Sequence, residues 1–249
     1  MSGHSKWATT KHKKAATDKA RGKLFAKLIR QVEVAAREGG GDINANATLR
    51  TMYSKAREAS VPSDTIERAI KRGTGELEGV RYESVSYEGY GPAGTAVMVD
   101  CLTDNRNRTG AEIRSLFSRA GGSMAEPGAV AWQFERKGLL AVARAADEDE
   151  LTLTVAEAGG EDVADQGEYW EVTCAPAELS QLRGALEEAG YEVSSAELAM
   201  VPTTTVRIEE EGDARKVLRL LDALEEHDDV QSVWSNFELA DALVELVEA

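Results

Sequence analysis

The stretch HSKWATTKHKK, residues 4–14, sets Lys6, Lys11, Lys13 and Lys14 beside two imidazoles, His4 and His12, and one indole, Trp7. Ammonium groups at this density pair with phosphate oxygens, and a ring among them offers a face on which a base stacks. The run has no helical periodicity of its own, but it leads into a segment that does. Laid out at about 100° per residue, Lys19, Lys23, Lys27, Arg30 and Arg37 fall on one face. Leu24, Phe25, Leu28, Ile29, Val32, Ala35 and Ala36 fall on the other. An arm continuous with a one-sided basic helix reads as a polyanion-binding edge; a disordered solubilising tail is the other reading of the arm. Trp7 serves equally as a stacking group or as an anchor folding the arm back onto its own unit.

Asn105-Arg106-Asn107-Arg108 is a second candidate. Thr109 and Glu112 have the spacing of a capping box, which predicts a helix over 109–120. Two guanidinium groups just ahead of it, Arg106 and Arg108, suit a phosphate or carboxylate. Equally, they suit a turn whose arginines bridge to an acidic neighbouring domain.

Little else in the chain has the pattern of chemistry. Gly89-Tyr90-Gly91-Pro92-Ala93-Gly94 matches G-x-G-x-x-G letter for letter. A dinucleotide site needs a helix directly after that string, and here a β-branched strand follows. No P-loop, HExxH, CxxC or nucleophile-elbow spacing occurs. Of the three histidines, His4, His12 and His227, two sit among lysines that repel a cation. Cys101 and Cys174 lie far apart in apolar runs and read as buried thiols. The expectation is therefore a non-enzymatic protein with no cofactor and no metal.

The charge distribution supports a nucleic-acid partner. The 249 residues have a formal net charge of -15. Residues 1–75 nevertheless hold sixteen basic against seven acidic residues, a net of +9, and the remainder holds thirteen against thirty-seven, a net of -24. Such a split predicts a polyanion-binding part on an acidic body. No apolar run approaches the ~20 residues of a membrane span, so no membrane partner is expected. The basic, Ser/Thr-containing start resembles an organelle transit peptide but lacks a secretory core, and the cytoplasm is the expected location.

These residues need elements to hold them. Apolar periodicity and glycine stops predict three helices in residues 1–76, the third opening at Ser63 or Asp64 and stopping at Gly73. The period then changes to two. Strands are predicted over 82–88 and 95–102, the helix follows at 109–120, and a strand covers 131–135. From Gly138 a βαββαβ order follows, with strands 139–143, 162–166, 169–174 and 191–200 and helices 147–158 and 176–189. A last βαβ, residues 203–208, 213–226 and 230–236, has no sheet of its own. Pairing it with the earlier ββαβ avoids two exposed sheet edges. The predicted fold is α+β: a basic three-helix domain, 1–76; an α/β domain, 80–136 plus 203–237; a ferredoxin-like α/β domain inserted at 137–202; and an acidic tail, 238–249.

Four blocks carry a resemblance: GHSKWATTKHKKAATDKARGKLFAKLIRQV, VPSDTIERAIKRG, YEGYGPAGTAVMVDCLTDNRNRT and GGSMAEPGAVAWQFERKG. By these the chain resembles the YebC/PmpR family, which includes a mitochondrial translational activator of cytochrome oxidase, and the likeness runs to about Asn236. The resemblance implies three domains with one α/β domain inserted in the other. It also implies a cytoplasmic DNA-binding transcriptional regulator, or a factor that helps ribosomes through difficult stretches such as consecutive prolines. The matching positions are Gly3, His4, Ser5, Lys6, Trp7, Lys11, His12 and Lys14 in the arm and 105–109 in the loop. The body here is more acidic, with an added acidic end, which argues against DNA contact by the α/β domains. Ribosomal RNA suits a mobile basic arm on an acidic body, because the body is repelled from phosphate while the arm threads in. DNA or rRNA, with the ribosome as the larger partner, is thus the expected contact.

Overall fold

In the computed structural model, which describes residues 18–240 and Leu243, the first helix α1 (Asp18–Gly39) packs against α2 (Ala47–Glu58) and α3 (Ser63–Thr74). Leu28, Val32, Ala35 and Ala36 of α1 meet Leu49 and Ala56 of α2 and Ile66 and Ala69 of α3, all buried. Gly73 lets α1 and α3 approach closely, since a Cβ there would lie 2.4 Å from the Glu33 carbonyl oxygen. The Glu33 carboxylate is buried with them and accepts from Arg72 at 2.9 Å and Arg37 at 3.2 Å. Asn46 caps α2, accepting the Leu49 N–H while its amide donates to Ala35 and Gly40 carbonyls. Helix α3 has no side-chain cap. Pro62 precedes it, and the left-handed Gly75, rather than Gly73, ends it.

The first sheet has the order β3-β1-β2-β9, with β1 Glu83–Tyr90, β2 Ala96–Thr103, β3 Ser123–Ala125 and β9 Val230–Ser235. Helices α4 (Arg106–Arg119) and α7 (Glu211–Glu225) cover one face, joining Val97, Val99, Ile113, Phe117, Val217 and Leu221 in the largest core. The G-x-G-x-x-G string forms the tight β1–β2 connection, a single turn at Pro92–Gly94 with Ala93 at φ +58°. Buried Glu88 accepts N–H bonds from Gly128 (2.6 Å), Val130 (2.7 Å) and Ala131 (2.9 Å), pinning the loop that leads out of this sheet.

The second sheet has the order β5-β6-β4-β7, each neighbour antiparallel, from β4 (Phe134–Ala143), β5 (Gly160–Asp165), β6 (Tyr169–Cys174) and β7 (Val193–Pro202). With α5 (Glu148–Glu157) and α6 (Leu179–Glu188) this is the ferredoxin-like unit, inserted within the first. Three particulars differ from the sequence reading. Residues 131–133 are a 3-10 turn, and β4 runs unbroken through Gly138, where a Cβ would sit 2.6 Å from the Cys174 sulfur. The orphan βαβ splits: β9 joins the first sheet, while β8 (Val206–Ile208) pairs in parallel with β10 (Phe237–Leu239). The acidic end therefore begins as structure, since Leu239 and Leu243 are buried in the largest core. No described helix is long and apolar enough to cross a membrane.

Candidate nucleic-acid interface

Lys23, Lys27 and Arg30 share a face of α1 because their spacings of four and three close a helical turn. That face lies against the carboxyl end of α7. Lys23 Nζ donates to the Glu226 carbonyl at 2.8 Å, and Lys27 Nζ to that of Glu225 at 2.9 Å. Arg30 Nη1 donates to the Asp228 carbonyl at 2.6 Å and to Asp229 Oδ1 at 3.0 Å. Its guanidinium lies 5.2 Å from the Tyr82 ring centre. The last carbonyls of a helix lack intrahelical donors and carry about half a negative charge, so three cations are well placed there.

Asp229 organises the junction. It is buried in the turn between α7 and β9, and its Oδ2 accepts from Thr109 Oγ1 at 2.7 Å and Arg108 Nη2 at 2.8 Å, leaving Oδ1 for Arg30. Burial would raise this carboxyl. The Thr109 and Arg108 hydrogen bonds and the Arg108 and Arg30 charges outweigh it and hold the group below the ordinary aspartate value. His227 Nδ1 accepts the Asp229 N–H at 3.1 Å, which puts the ring proton on Nε2, facing Glu112 Oε2 at 2.7 Å. A cleft of about 670 Å³ opens here, with Lys23, Arg30 and Arg108 facing Asp104, Glu226 and Asp228.

The two loop arginines part company. Asn105, not Thr109, caps α4, accepting the Arg108 N–H at 3.1 Å, so Arg106 and Arg108 stand in the first turn of the helix. Thr109 is buried with its hydroxyl bonded to Thr103 and Asp229, which takes it out of a capping role. Arg108 bridges Asp104 and Asp229, two acids of its own α/β unit rather than of the neighbouring one. Arg106 is exposed and has no ion pair among the described residues.

Of the remaining sequence candidates, His4, Lys6, Trp7, Lys11, His12, Lys13 and Lys14 lie outside the described residues, and Lys19 is described only as backbone of α1. Sequence reasoning missed Asp229 and the α7 end, because an acid after a helix carries no local sign of the partners it will meet. Exposed Arg68 and Lys71 on α3 were also passed over, although they add to the charge of the helical unit. Both thiols are buried, and burial together with the Asp229 and Asp100 charges pushes Cys101 up to about 12.

Two family models match the chain: the TACO1/YebC protein N-terminal domain over residues 5–76, and the TACO1/YebC second and third domain over residues 82–237. A relative from Thermobifida fusca is 55% identical, with 98% of each chain covered, and one from Pelotomaculum thermopropionicum is 53% identical, with 97% of this chain and 100% of the relative covered. Both bear the name "Probable transcriptional regulatory protein". The crystal structure of a conserved hypothetical protein from Aquifex aeolicus superposes with a TM-score of 0.83 at 46% identity, covering 90% of this chain and 93% of that one.

Proposed function

Given that the chain belongs to the TACO1/YebC family, we propose that it is a non-enzymatic regulator of gene expression that binds nucleic acid through its basic N-terminal unit. The observation that carries this reading is the charge split, +9 in residues 1–75 against -24 beyond, with Lys23, Lys27 and Arg30 gathered on one helix face. The arm residues His4, Lys6, Trp7, Lys11, His12, Lys13 and Lys14 and Lys19 extend that face in the sequence, and exposed Arg106 is a further phosphate contact. A non-enzymatic role is favoured because the buried carboxylates, Glu33, Glu88 and Asp229, are spent on holding elements together.

The names of the relatives point to transcription, and DNA is the nucleic acid that this reading takes as the partner. The acidic body favours a second reading, rRNA and translation, since a phosphate surface repels it and admits only the basic end. Crosslinking the protein to nucleic acid in cells and sequencing what is attached separates the two. A discrete set of promoters supports transcription, enrichment of rRNA supports translation, and recovery of neither contradicts the reading.

A further inference from the structure

The helical unit has an apolar core separate from those of the body. Its core is self-contained: every apolar residue in it, buried or half-buried, from Phe25 to Ile70, belongs to α1, α2, α3 or the segments between them. The chain crosses to the body once, through exposed residues 75–81. What joins the two at α1 is polar. Lys23, Lys27 and Arg30 reach carbonyls and one carboxylate, and Gln31 meets Gln231 at 3.2 Å. These acceptors are of the kind a sugar-phosphate backbone supplies, at lower charge than phosphate. The body's side is preset, because Thr109 and Arg108 hold Asp229 with Oδ1 turned to Arg30.

We infer that the carboxyl end of α7, with Glu226, Asp228 and Asp229, is an intramolecular latch that occupies Lys23, Lys27 and Arg30 in place of a nucleic-acid backbone, so that binding nucleic acid and releasing the helical unit are one event. The inference rests on the proposed function and deepens it. A ligand moves such an equilibrium only by its preference for one state, and here the preference is built in, since the same cations cannot serve both acceptors. The affinity of the latched protein is the intrinsic affinity reduced by the fraction open. Salt weakens the latch as it weakens binding, because the Arg30–Asp229 ion pair and the negative helix end that Lys23 faces lie on a cleft that solvent reaches.

The test uses the full chain carrying Ser54→Cys in α2 and Ser118→Cys in α4, both exposed, with a donor and an acceptor dye; Cys101 and Cys174 are buried and stay unlabelled. A short single-stranded RNA and a duplex DNA of equal length are the probes. Energy transfer is expected to fall as salt rises and, at fixed low salt, as a probe is added. Glu226→Lys with Asp228→Lys, at exposed positions, is compared with Glu157→Lys and Glu188→Lys, which change net charge equally at the exposed ends of α5 and α6. The latch pair is expected to bind about fivefold tighter or more than the control pair. Equal affinity of the two pairs, with transfer unmoved by bound probe, overturns the latch and leaves the binding surface standing. Binding of neither probe by any variant overturns the proposed function, and the latch as a competitor with it.

Discussion

The two joints of this molecule are made differently. The inserted unit is fused to the first α/β unit by two strands in antiparallel register, from Phe134 opposite Pro202 to Val142 opposite Val193. Phe134 and Met200 of those strands share an apolar cluster with Ala96, Met98 and Trp234 of the first sheet. The chain crosses that joint twice. The helical unit is held at α1 by cations on a helix end, and the chain crosses once. A body fused by paired strands and a head held by polar contacts is the division that the inferred latch needs, since one part must leave its intramolecular acceptors for a phosphate.

The largest effect is expected at the fused joint. Phe134→Ala removes a buried ring of the shared cluster and should cost about 3 kcal/mol in chemical denaturation. Both α/β units should lose stability together; loss confined to one would show that the ribbon does not couple them. Asp229→Ala acts at the other joint. It strips Thr109, Arg108 and Arg30 of a shared acceptor and should cost about 2 kcal/mol, less than a fully buried pair because the arginines reach solvent. The helical unit should keep its own helicity in that variant, measured by hydrogen exchange.

Acid provides the third test. Burial would raise Glu88, but the N–H bonds from Gly128, Val130 and Ala131 bring it below its ordinary value, and Asp229 is lowered as well. A lowered carboxyl contributes stability that is complete above its unfolded pKa, about 4, and is lost as pH falls through the folded value. Asp100, raised by burial, works in the opposite sense. The melting temperature should fall between about pH 5 and pH 3, and Glu88→Gln should lower it at neutral pH while flattening that fall. An unchanged acid profile in the variant would mean that Glu88 has no part in the acid response. The smallest effect concerns the loop: Arg108→Ala should lower the melting temperature, whereas Arg106→Ala should leave it unchanged and weaken nucleic-acid binding. Equal thermal effects would mean that both arginines are structural.

Where each element depended on its own residues, the sequence was legible. The three helices, the βαββαβ order and strand 169–174 follow from apolar periods and glycine or proline punctuation. Misreadings arose where a distant partner decided the role. Gly138 reads as a break, yet it sits inside β4 because the Cys174 sulfur needs the space of its missing side chain. Thr109 reads as a cap, yet Asp229, 120 residues later, claims its hydroxyl. Glu238 and Leu239 read as the start of the tail, yet β8 supplies a partner strand for 237–239. The basic face of α1 was visible in its spacing. Its docking onto Glu225, Glu226, Asp228 and Asp229 was not, because nothing local tells which of many acids about 200 residues away will meet it.

A basic N-terminal unit that binds a nucleic-acid backbone must lose affinity with rising salt in proportion to the phosphates it neutralises. The direct measurement is the salt dependence of binding by the intact chain and by a variant with Lys11, Lys13, Lys14, Lys19 and Lys23 changed to Gln. The expected result is a folded variant with weaker binding, and with a slope of log affinity against log salt that is flatter by about 0.7–0.9 for each phosphate it no longer neutralises. A slope equal to that of the intact protein would contradict binding through this unit.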